Sequence, residues 1–173
     1  MQHAIDQKPY TELLRGRAVR KVSPQRRHAL LQPRLAMLVA RLAGERGDVG
    51  TEWRFYMNAP GDPRTSLVPD IAFVARERLD ALSPEQREQP PLSPDVAIEI
   101  RSPDDRVADV EWKMGAYLEM GGTLALDVLP EREEIRAFTR SGMNVFGHGD
   151  RFTCEAVPWL TFAVAEIFAG LRD

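Results

Sequence analysis

A single cysteine, Cys154, stands in 173 residues, so no internal disulfide is available and the chain fits a reducing compartment. No apolar run approaches the roughly 20 residues that a bilayer-spanning helix needs, which argues against a membrane segment. The first residues, Met-Gln-His-Ala-Ile-Asp, have neither the basic start nor the apolar centre of a secretory signal, and a cytoplasmic protein is expected. Basic excess is missing as well. The chain carries 23 Lys and Arg against 26 Asp and Glu, a net charge of −3, which argues against a protein that coats nucleic acid by charge alone. Repeats, low-complexity tracts and an obvious linker are absent, so residues 1–173 are expected to form one domain.

What is present reads as an ordinary globular chain, with 43% hydrophobic and 28% charged residues. Arg15, Arg17, Arg20, Lys21, Arg26, Arg27 and Arg34 crowd the first stretch, as either a solvated face or a phosphate track. Tyr10–Leu14 reads as a short helix and Ala18–Val22 as a short strand. Ser23-Pro24 is a good opening for a helix whose apolar stripe is Leu31, Leu35, Leu38 and Leu42, with Gly44 and Gly47 to stop it. Pro33 should kink that helix or delay its regular part.

Trp53–Met57 alternates like a strand, Asn58–Pro63 is turn-rich, and Ile71–Ala75 is a compact buried strand. Residues 76–94 hold four prolines and read as a loop with at most one helical turn. Asp95–Ile100 is a second buried strand. Ser102-Pro103-Asp104-Asp105 then caps a helix over Val107–Met120, ended by Gly121-Gly122. Strands follow at Leu124–Leu129 and Glu134–Thr139, with a further hairpin of Met143–Phe146 and Arg151–Glu155. A last helix spans Ala163–Leu171, with Val164, Ile167, Phe168 and Leu171 on one face. The order predicts an α/β fold, a mixed central β-sheet flanked by helices.

The chemistry concentrates in two of these strands. On the second, Val96, Ile98 and Ile100 share one face, while Ala97, Glu99 and Arg101 share the other. A carboxylate and a cation therefore end an otherwise apolar strand. Asp70 heads the preceding apolar strand, where pairing would bring it beside Glu99. Two converging carboxylates with a cation nearby suit phosphodiester hydrolysis, because Mg²⁺ binds through one or two carboxylates, waters and phosphate oxygens. Lys113 borders the stripe of Val107, Val110, Met114, Tyr117 and Leu118, either reaching inward from the flank or snorkelling to solvent. Each acid has a structural alternative. Asp70 could make a turn contact, and Glu99 an ion pair with Arg101 or Lys113. His28 lies on the first helix's apolar stripe and reads as a hydrogen-bonded core residue.

The pattern Pro69-Asp70, apolar strand, long loop, then Pro94-Asp95-Val96-Ala97-Ile98-Glu99-Ile100-Arg101-Ser102-Pro103 resembles the Uma-two family of the PD-(D/E)XK nuclease superfamily. The likeness continues through Lys113, Tyr117, Gly121, Asp127 and Val157-Pro158-Trp159-Leu160. Upstream it takes in Gly16, Ser23-Pro24 and His28, so that it spans nearly the whole chain. The resemblance implies a restriction-endonuclease-like core that hydrolyses DNA with Mg²⁺ or Mn²⁺. It implies Asp70, Glu99 and the Ile100 carbonyl as metal ligands, and Lys113 as the spatial substitute for a lysine usually two residues after the acid. Arg101 occupies that position here. Arginine is no base, so Arg101 would bind phosphate or an internal carboxylate, with His28 as a supporting residue. The family commonly has an acid where this chain has Arg17, which puts an extra carboxylate and a second metal in question. Two subunits pairing to cut both strands is a further expectation. The readings from other classes are a nucleic-acid- or protein-binding module that has lost turnover, and a hydrolase of a small phosphodiester.

Overall fold

The structure is a computed structural model that describes residues 11–20, 25–59 and 62–171. In chain order its elements are β1 (Thr11–Leu14), β2 (Arg17–Arg20), α1 (Arg26–Ala43), β3 (Gly47–Thr51), β4 (Phe55–Ala59), β5 (Asp62–Leu67) and β6 (Ile71–Ala75). There follow α2 (Arg76–Asp80), α3 (Pro84–Glu88), β7 (Val96–Ile100), α4 (Val107–Glu119), β8 (Leu124–Leu129), β9 (Glu134–Thr139) and β10 (Gly142–Phe146). The chain closes with β11 (Arg151–Phe152), β12 (Phe162–Ala163) and α5 (Val164–Phe168).

β6 and β7 form because short runs of branched and aromatic residues favour extended backbone and a buried sheet centre. The main sheet has six strands in the order β10-β9-β8-β7-β6-β3, and a second sheet has the order β2-β1-β5-β4. β7 runs parallel to β8, with α4 as the crossover between them, and every other pairing in the main sheet is antiparallel. The sheet is therefore mixed and carries helices, as the element order predicts.

Period-two alternation divides the core in two. Ile98, Ile100 and Leu126 face Leu31, Leu35 and Leu38 of α1 and Ile167 and Phe168 of α5. Each such side chain contributes about 1.5–3 kcal/mol when fully buried. On the other face Ala72, Ala97 and Ala125 lie in register across three strands. They pack with Met114 and Tyr117 of α4 and Phe55, Met57 and Leu67 of the second sheet. This row of small residues lets α4 and the second sheet lie close over the strands that carry the acids.

Several expectations are corrected. Thr11–Leu14 is a strand, not a helix. The two-residue turn Arg15-Gly16, with φ 51° and 73°, joins it to β2 with Leu14 opposite Arg17, a hairpin signal hidden in an arginine-rich stretch. Val22 and Ser23-Pro24 lie outside the described residues. α1 starts at Arg26 after Gln25 and runs unbroken through Pro33. Gly47 does not stop the helix but opens β3, where an added Cβ would lie 2.0 Å from the Val74 carbonyl oxygen. Residues 76–94 hold two short helices, and Ser83 with Gln86 caps the second. The turn of residues 102–105 precedes α4 without capping it, since Arg106 is the N-cap and makes no side-chain cap.

Arg151–Glu155 does not pair with β10. β10 pairs with β9, while Arg151–Phe152 pairs with β12, so that Phe152 is fully buried and stacks on Phe162 at 5.0 Å. Burial of that ring outweighs local hairpin closure. The last helix is shorter than predicted, Val164–Phe168, yet Val164, Ile167, Phe168 and Leu171 are all buried. No helix among the described residues is long and apolar enough to cross a membrane.

Candidate active site

β6 and β7 are antiparallel, with Ile71 opposite Ile98, so the head of β6 meets the end of β7. That register carries Asp70 to the turn out of β7. There its Oδ2 accepts the Ile100 N–H at 2.7 Å and lies 3.1 Å from His28 Nε2. Glu99 points to the α4 side, because Ala97 and Glu99 alternate away from the Ile98 face. Tyr117 donates its hydroxyl to Glu99 Oε1 at 2.6 Å, and Lys113 Nζ stands 3.3 Å from Glu99 Oε2. Tyr117 and Lys113 are four residues apart on α4 and share one face of that helix.

Asp70, Glu99, Lys113, Ile100, Arg101 and His28 all line one cavity of about 220 Å³. The structure thus brings all six of these residues to one cavity. Lys113 does not flank the buried stripe but belongs to it, at 9% exposure, while Val107 is half exposed. Arg101 turns to an internal carboxylate. Its Nε and Nη2 donate to Asp127 Oδ1 and Oδ2 at 3.2 and 2.5 Å. Asp127 lies within β8, opposite Glu99 in the parallel register, and its own side chain is fully buried. His28 is buried on α1, as expected, with Asp70 as its neighbour through Nε2, and its Nδ1 is buried with no partner among the described residues.

Two members of the cluster had no role assigned from sequence. Glu12 of β1 is 2% exposed, and its Oε1 accepts the Val68 N–H at 2.8 Å while its Oε2 lies 2.6 Å from Lys113 Nζ. Reading Thr11–Leu14 as a strand would have placed Glu12 on the inward face with Leu14. Tyr117 was legible as a buried residue, but its hydroxyl partner was not.

Burial is the largest single influence on Lys113 and works against its charge. Glu12 and Glu99, the hydrogen bond to Glu12 and the more distant Asp70 outweigh it, lifting the ammonium above the ordinary lysine range. Burial also lifts the Tyr117 phenol well above its usual value, and the carboxylates of Glu99 and Glu12 push the same way. Tyr117 therefore acts as a hydrogen-bond donor and Lys113 as a fixed cation. Neither is suited to take up a proton.

Arg17, Arg20 and Arg106 also line the cavity, together with Asp104, Asp105 and Asp109, so its rim is of mixed charge. The β1–β2 turn is fastened over α4 by Arg17 on Asp109 at 3.2 Å and by Arg15 over the Trp112 ring at 5.5 Å. Among the described residues, no group of three or more His, Cys, Asp or Glu is arranged to hold a metal ion by itself. Magnesium does not require such a cage, since one or two carboxylates with waters and substrate phosphate suffice.

A mixed sheet flanked by helices, with acids at adjoining strand ends and a lysine on the crossover helix, is a nuclease-type α/β fold. A solved structure shares it: the "Crystal structure of a putative nuclease belonging to DUF820 from Anabaena variabilis ATCC 29413" is 20% identical, covers 96% of this chain and 93% of that chain, and superposes with a TM-score of 0.84. The chain belongs to the Uma-two family (Uma2), described as "Putative restriction endonuclease", whose model matches residues 1–165. A search of curated proteins finds no match.

Proposed function

We propose that this chain is a Mg²⁺- or Mn²⁺-dependent endonuclease that hydrolyses DNA phosphodiester bonds in the cytoplasm as a single domain. The observation that carries this reading is the meeting of three buried carboxylates and one buried ammonium in one cavity. The carboxylates of Glu12, Asp70 and Glu99 are 2%, 3% and 6% exposed, and the buried ammonium among them is Lys113. Carboxylates gathered in one pocket are the kind of group that a divalent cation binds. The donors are hard oxygens, the type Mg²⁺ and Mn²⁺ prefer. Asp70 and Glu99 would hold the ion, with the Ile100 carbonyl as third ligand.

When bound, the ion supplies Lewis acidity, easing deprotonation of water and offsetting charge on the phosphate. The chain's own groups do the rest. The Ile100 N–H and His28 orient Asp70, and the Tyr117 hydroxyl orients Glu99. Lys113 presents a permanent positive charge for the phosphate oxygens, an electrostatic role rather than that of a base. Arg17, Arg20 and Arg106 line the cavity beside Asp104, Asp105 and Asp109, and would offer guanidinium groups to flanking phosphates. Arg101 supports the site through Asp127. Pairing of two subunits would let both strands be cut.

The test is cleavage of plasmid and single-stranded DNA with Mg²⁺ or Mn²⁺, comparing wild type with Asp70→Ala and Glu99→Ala. Metal-dependent cutting that both substitutions abolish is the expected result. Undiminished cutting in both variants would overturn the assignment. One observation favours a second reading, a binding module without turnover: both Glu99 oxygens are engaged by Tyr117 and Lys113. A wild type that binds DNA and never cuts it would establish that alternative.

A further inference from the structure

Lys113 stands between two carboxylates, and they do not hold it equally. Its Nζ is 2.6 Å from Glu12 Oε2 and 3.3 Å from Glu99 Oε2. Glu12 is itself immobilised, since its other oxygen accepts the Val68 N–H at 2.8 Å, two residues before Asp70. It comes from β1 of the second sheet, whereas Glu99 comes from β7 of the main sheet. The second sheet thus supplies a fixed counter-charge to a lysine that α4 would otherwise deliver against Glu99.

We propose that Glu12 is a positioning residue that anchors the Lys113 ammonium and holds its contact with Glu99 longer and weaker than the two would otherwise make. Without the Glu12 charge, Lys113 has Glu99 as its nearest carboxylate and draws it into a closed ion pair. A divalent cation then has to displace a more tightly held ammonium before it reaches Glu99. The metal arm of this inference rests on the proposed function, and the anchoring itself does not.

The anchoring is tested in the metal-free protein by thermal unfolding of Glu12→Gln, Glu99→Gln, Lys113→Met and the corresponding double variants. Gln keeps an acceptor for the Val68 N–H and removes only the charge. The Glu12–Lys113 coupling should exceed the Glu99–Lys113 coupling. Equal couplings, or a larger one to Glu99, overturn the proposal.

The consequence is read by titrating Mn²⁺ and following the free ion by electron paramagnetic resonance. Glu12→Gln should bind Mn²⁺ about 10–100-fold more weakly than wild type. Glu12→Gln with Lys113→Met should regain near-wild-type binding, because the competing ammonium is gone. A purely structural Glu12 would leave Mn²⁺ affinity unmoved. A double variant as weak as Glu12→Gln would mean that Glu12 ligates the ion itself. Either result overturns the proposal. A wild type that takes up no Mn²⁺ defeats the metal-dependent reading of function instead, and the unfolding cycle alone then decides the role of Glu12.

Discussion

Removing the positive charge of Arg101 separates the structural from the phosphate-binding role of this residue. The Asp127 side chain is 1% exposed and takes two guanidinium hydrogen bonds from Arg101, at 2.5 and 3.2 Å. Arg101→Met keeps an apolar stem and leaves that buried carboxylate with only the weaker influence of Arg136, which costs up to about 3–5 kcal/mol. Set against the roughly 5–15 kcal/mol that holds a typical domain together, this is a large loss. For a chain of this length it corresponds to a Tm drop on the order of 10 °C. The pH dependence gives the reasoning its sharper edge. Burial, the dominant influence, pushes the Asp127 carboxyl up, and Arg101 is the main force holding it down. Without Arg101 the folded-state pKa rises further above the unfolded value of about 3.9. A raised folded pKa stabilises the protonated form, so its contribution is present at low pH and is lost as pH rises through the folded value. The Arg101→Met deficit should therefore be largest at pH 8 and shrink toward pH 5, measured by thermal unfolding of wild type and variant in parallel. Arg101→Met with Asp127→Leu should recover most of the stability. A deficit of the same size at both pH values, or a double variant no better than the single, would refute the argument. If the stable double variant cuts DNA like wild type, Arg101 serves only the fold.

Further outcomes are expected at three positions. Tyr117→Phe removes the hydroxyl 2.6 Å from Glu99. It should lower stability by about 1.5–3 kcal/mol in urea denaturation and weaken Mn²⁺ binding about tenfold or more, and a variant unchanged in both would show that Glu99 does not depend on the phenol. Asp70→Asn preserves an acceptor for the Ile100 N–H, so Tm should stay within a few degrees of wild type while cleavage is lost; wild-type cutting by this variant would remove Asp70 from the chemistry. Gly122→Ala would place a Cβ 2.6 Å from the Tyr117 carbonyl oxygen and 2.9 Å from that of Pro94. That overpacking should cost about 1–3 kcal/mol by urea denaturation, and a neutral effect would mean that the α4–β8 turn yields more easily than its contacts suggest.

The elements legible in the sequence were those whose periodicity is local. Ile71–Ala75 is an uninterrupted apolar run, and Leu31, Leu35 and Leu38 keep one helical face. Those patterns survive whatever the rest of the chain does. β3, β5 and β11 were missed or mispaired because their partners set their state. Gly47 reads as a helix stop until the Val74 carbonyl beside it is known, and Phe152 reads as half of a hairpin until Phe162 is found beneath it. Close approach and aromatic burial are non-local terms, and no window of ten residues contains them.

The same distinction runs through the site. Glu99 was conspicuous because a carboxylate ending Val96–Ile100 needs a partner, and any reading of that strand must find one. Glu12 was hidden although it is equally buried, because Thr11–Leu14 reads locally as a helix, and only as a strand does it turn Glu12 inward beside Leu14. The consequence reaches past prediction. Asp70, Ile100 and Glu99 are placed by the main sheet, but the charge that sets where Lys113 points comes from the second sheet. The acids can therefore be kept while the cation beside them is moved.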